Sequence, residues 1–161
     1  MVDPVLFKNV ALLFHLIGFG MIATLLFSGP IAERRFRKAE TLEAKVALQR
    51  VIRSIGLISP LAVLLLLASG FGNMYYARLG PFTAGWLTAK IIFFGIAIVN
   101  GIMAGARGSK RGKLLARLAR GETVPGALPD MQRYNKQQSI FYITQTTLVL
   151  IILVLSVFKP E

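Results

Sequence analysis

Cysteine is absent from this chain, histidine and tryptophan occur once each, and acidic residues number only 7 against 19 Lys and Arg. Without cysteine there is no disulfide, no iron–sulfur cluster and no thiolate-held metal. With one histidine there is no multi-histidine zinc site. Clusters of methionine, histidine or carboxylate that a metal path needs are lacking, and the apolar spans contain no acidic residue for proton coupling. The alternating pattern of a membrane β-barrel is also missing, because the apolar runs are continuous. No internal repeat or low-complexity segment is present.

What remains is strongly apolar. Hydrophobic residues make up 55% of the 161, and the mean hydropathy is +0.63. The charges are crowded into a few segments with long uncharged runs between them. That pattern reads as an integral membrane protein with one membrane domain over residues 1–161. The net charge of +12 does not read as nucleic-acid binding. The basic residues flank apolar spans, where they set topology and meet anionic head groups.

The first uncharged run, Asn9 to Ala32, organises the rest. Asp3 and Lys8 give no clearly positive leader, and the run is too long for a signal peptide. It is therefore expected to stay in the mature protein. Four spans follow from the pattern, at about residues 5–28, 54–76, 82–106 and 137–158. Pro4 suits a first helical turn, and Gly29-Pro30 is expected to bend or end the first helix. Ser59-Pro60 predicts a kink in the second span. Basic connections cover 31–53 and 107–136. In the first, Thr41 is placed to cap a helix over Leu42–Ile52 that continues into the membrane. In the second, Arg107 to Gly121 reads as a short basic amphipathic helix, and Gly121 to Pro129 as loop. Fifteen Lys and Arg lie in these two connections and three at the termini and the short turn. This places both connections in the cytoplasm and both termini in the periplasm of a bacterial inner membrane. The expected fold is all-α: a four-helix transmembrane bundle, N-out and C-out, with helical cytoplasmic extensions.

Chemistry-bearing residues inside the spans are few. His15 lies near mid-membrane depth, where an ionisable ring is costly and becomes a candidate site. Gly18 and Gly20 beside it would let a helix or a flat cofactor approach. Lys90 lies one turn inward from Trp86, on the same helical face. Entering from the same side, His15 and Lys90 can face one space. A neutral imidazole is a normal axial haem ligand. A lysine ligates iron only when desolvation keeps it neutral; otherwise it pairs with a carboxylate. The plainer readings are open beside these. His15 can hydrogen-bond a neighbouring helix. Lys90 can snorkel past Trp86, itself a belt residue. Asn100 and Gln145 read as packing hydrogen bonds, and Met21 and Met103 are weak alternative ligands.

The order of these features resembles the HemJ type of protoporphyrinogen IX oxidase and the related CopD-like four-helix membrane proteins. His15 with Leu26-Phe27 and Pro30 is similar to that family's first helix, and Gly85-Trp86-Leu87 with Lys90 to the start of its third. Arg133 and Asn135, then Lys159-Pro160, are similar to its closing segment. The chain departs from the family at Ile31, Arg35, Asn100 and Lys136. The resemblance implies haem b held by His15 and Lys90, with Gly18 and Trp86 beside it. It also implies His15 and Lys90 as the catalytic pair, a porphyrinogen substrate, and electron delivery to the respiratory chain through quinone. The competing expectation is a non-enzymatic transmembrane subunit, in a homo-oligomer or a larger membrane complex.

Overall fold

The computed structural model describes residues 4–159, so Asp3 and Pro160 lie outside it. These residues form five helices and no strand: α1 (Pro4–Lys38), α2 (Leu42–Gly56), α3 (Ile58–Tyr76), α4 (Gly85–Ala119) and α5 (Ala127–Phe158). Four rods, with α2 and α3 counted as one, are long and apolar enough to cross a bilayer. Their large apolar side chains face outward. Leu12, Leu13, Phe14, Leu16 and Ile17 are all exposed on α1. In water such a surface would aggregate, whereas in lipid it is the matched surface. The chain is an all-α, four-helix, multi-pass membrane protein.

The helices run further than their apolar runs predict. At 1.5 Å per residue, the 35 residues of α1 span about 50 Å, beyond a hydrocarbon core of about 30 Å. Gly29-Pro30 does not end α1, which continues through both residues to Lys38. Neighbouring helices hold the turn in place here. The Tyr142 ring of α5 fills the space beside Gly29, where a Cβ would stand 2.6 Å from Tyr142 Cε1. Nor is Arg107 to Gly121 a separate helix, because α4 runs unbroken to Ala119. Nothing in that stretch breaks a helix, so the apolar span simply propagates into the basic one. The loop expected over Gly121 to Pro129 is shorter for a related reason. Gly121 and Gly126 take positive φ, and Pro129 falls in the first turn of α5, where its missing N–H leaves no bond unmade.

α2 begins at the cap read from sequence, with the Ala44 N–H donating to Thr41 Oγ1 at 3.2 Å. It continues into the membrane as one rod with α3. The helical bonding is interrupted at Leu57, whose backbone stays αR, because Pro60 has no N–H for the Gly56 carbonyl. The expected kink is therefore a helix boundary, three residues earlier than the proline.

The rods pair as α1 with α3 and α4 with α5, with α1 also against α5. α2 bridges α1 and α4 at the basic end. The lipid-crossing part has a core of small and medium side chains, including Ala11, Ala62, Ala97 and Leu87. Gly18 lets α3 approach: a Cβ there would stand 3.0 Å from Leu66 Cγ and 3.2 Å from the Ala62 carbonyl oxygen. The largest fully buried side chains lie at the basic end: Arg111, Phe36, Leu115 and Glu33.

Candidate functional site

His15 is half-buried on the α3 side of α1. Its Nδ1 lies 2.9 Å from Ser69 Oγ on α3. Ser69 is 4% exposed, and its hydroxyl donates to the Leu65 carbonyl oxygen at 2.5 Å. A serine has one proton to give. With that proton on Leu65, the Ser69 oxygen accepts from His15 Nδ1 when the ring is the Nδ1–H tautomer. The neutral imidazole then carries its free lone pair on Nε2, which has no partner among the described residues. A hydrogen bond that fixes Nδ1–H and presents Nε2 is the usual support behind a metal-bound histidine. The same bond also satisfies the plainer reading of an interhelical link, made through serine rather than threonine or glutamine.

Lys90 is half-buried on α4. α1 and α4 share no extended contact, so Lys90 and His15 stand on helices that do not pack together. Lys159, at the end of α5, lies 5.7 Å over the Trp86 ring, which fixes Trp86 at the terminal end of the bundle. Lys8 stands 5.4 Å over Tyr76 at the same end. Lys159 thus stands over the indole, beside which the sequence suggested Lys90. Lys159 was read only as the end of the last span, because its return beside Trp86 is a tertiary fact. Of the four site residues expected, His15 and Gly18 belong to the α1–α3 pair and Lys90 and Trp86 to the α4–α5 pair. Gly18 is occupied by helix packing; Gly20 is the glycine with open space beside it.

The donor set fits an iron porphyrin at one axial position. One neutral imidazole with an anchored Nδ1 meets the need for an axial ligand. Among the described residues, no group of three or more His, Cys, Asp or Glu converges on a bare metal ion.

A second polar cluster lies at the basic end, and no local sequence pattern marks it. Arg111 of α4 is 1% exposed and forms a bidentate pair with Glu33 of α1, at 2.7 and 2.8 Å. Its Nε donates to Gln49 Oε1 of α2 at 2.8 Å, and Nη1 to Asn135 Oδ1 of α5 at 3.2 Å. Its guanidinium carbon lies 4.2 Å over the Phe36 ring. Gln49 closes the cluster by donating to the Gly108 carbonyl oxygen at 3.2 Å. One guanidinium therefore ties four helices together. A fork of five donors suits this in a way an ammonium does not. No buried side-chain polar atom is left unpartnered among the described residues.

No family model, curated protein or solved structure matches the chain.

Proposed function

We propose that this chain is a haem-b-binding membrane protein of the HemJ-like type that its sequence resembles, acting in electron transfer or porphyrinogen oxidation. The observation that carries the reading is the His15–Ser69–Leu65 chain. It anchors the single imidazole through Nδ1, within the lipid-crossing part of the bundle, and leaves Nε2 without a partner among the described residues. When bound, haem supplies one-electron chemistry. The chain's own residues do the rest. His15 binds and orients through Nε2. Lys90, backed by Lys159, supplies positive charge for a carboxylate of a porphyrin-like ligand. Trp86 walls the same end. Quinone, as the acceptor passing electrons to the respiratory chain, belongs to this reading. So does the orientation, with the basic end cytoplasmic and both termini periplasmic in a bacterial inner membrane.

The test is an absorption spectrum of the purified protein. The expected result is a Soret band that disappears in His15→Ala, with Lys90→Met shifting the spectrum or the turnover at near-normal expression. A colourless, well-folded preparation that takes up no added haem overturns the proposal. That outcome favours the second reading, a non-enzymatic transmembrane subunit. The observation behind this alternative is the open face of α4.

A further inference from the structure

The outward face of α4 carries a seam with no partner. Ile92, Ile96, Val99 and Met103 follow one another at intervals of four, three and four residues, the spacing of a helix that meets another helix. All four are between 47% and 57% exposed. With Gly95, Asn100 and Thr144 they line an open groove of about 540 Å³. Gly95 has nothing within 4 Å of where a Cβ would stand, so a second backbone can come close there.

Asn100 decides what kind of partner fits. It lies in the uncharged part of α4 between Lys90 and Arg107. Its Nδ2 donates to Gln145 Oε1 at 2.9 Å. That bond uses one donor of Asn100 and one acceptor of Gln145. Asn100 Oδ1, the other Asn100 N–H and both Gln145 N–H groups have no partner among the described residues. Hydrocarbon cannot satisfy them, and leaving them unmet is costly. The unused groups are both donors and acceptors, and they sit near the middle of the seam. A two-fold axis beside Asn100 therefore brings each unused acceptor to an unused donor of an identical pair. This self-complementarity is what an isologous interface requires.

We infer that the Ile92–Met103 face of α4 is a homodimer interface, covered by the same face of a second copy of this chain and keyed by the Asn100–Gln145 amides. Because the chain contains no cysteine, single cysteines report contacts without background. Full-length Val99→Cys and Ile96→Cys proteins in liposomes should form disulfide-linked dimers on oxidation. Leu64→Cys, on the exposed face of α3, should not. Adding Asn100→Leu to Val99→Cys should lower the cross-linked fraction about tenfold, the scale of interhelical hydrogen bonds in lipid, while helical content is unchanged. Asn100→Gln should retain the dimer. The inference is overturned if the α4 cysteines cross-link no better than Leu64→Cys, if a different polypeptide is captured, or if Asn100→Leu cross-links undiminished. The first comparison needs no change at Asn100, so it stands even if Asn100→Leu misfolds.

Discussion

A single imidazole in the lipid-crossing part and a single buried guanidinium at the basic end each depend on a partner from another helix. For His15 the partner is Ser69. Replacing Ser69 by Ala frees the ring to change tautomer and orientation, so haem affinity should fall about 10–100-fold with no loss of fold. Haem titration of the two proteins checks this. For Arg111 the partner is Glu33. Glu33→Gln leaves a buried charge without its counter-ion and should cost about 3–5 kcal/mol, measured by reversible unfolding in mixed micelles. The double variant Glu33→Leu with Arg111→Met should recover most of that loss, because removing both charges also removes their desolvation cost. His15 and Lys90 were legible in the sequence because an ionisable group in an uncharged run is conspicuous. Ser69 and the Arg111 cluster were not. Serine is unremarkable beside Gly70, and Arg111 is one of 19 basic residues, distinguished only by burial between four helices.

The helices themselves show where pattern reading works. Apolar runs located all four membrane crossings, and Thr41 marked the start of α2. The ends were misread wherever a proline or a basic run was taken as a stop. Pro30 lies inside α1, and Arg107 to Ala119 continues α4. At Pro30 the local signal favoured a bend or an end, yet α1 continues; at Arg107 only the change of polarity suggested a boundary, and no residue there breaks the helix. Gly29→Ala puts a Cβ into the Tyr142 ring and should destabilise by about 1–3 kcal/mol. Combining it with Tyr142→Leu should relieve part of the strain, which thermal denaturation of the single and double variants can measure. In the α4–α5 loop, Arg117 and Arg120 hold the Glu122 carboxyl below the usual carboxylate range through hydrogen bonds at 2.6–2.8 Å. Its folded pKa is depressed, so the loop's ion pairs are complete above the ordinary carboxylate pKa. They are lost as pH falls through the lowered value. An NMR titration of the Glu122 carboxyl should find its midpoint below that of an unpaired glutamate.

As a whole, the molecule consists of two helix pairs tied at the basic end by Arg111, with the His15 ring and the Lys90–Trp86–Lys159 group on different pairs. The four-helix membrane fold was plain from hydropathy. The pairing of α1 with α3 and α4 with α5 was not, since hydropathy alone does not say which neighbour an apolar face meets. The functional account turns on the state of one ring, and the chain makes that state easy to read because it has one histidine. Protein labelled with ¹⁵N only at histidine gives one pair of ring-nitrogen signals. In the haem-free protein Nδ1 should be protonated and Nε2 should not, and added haem should perturb Nε2 while Nδ1 keeps its proton toward Ser69. A ring protonated at Nε2, or one whose signals ignore added haem, would mean that His15 is a link between helices and not an iron ligand.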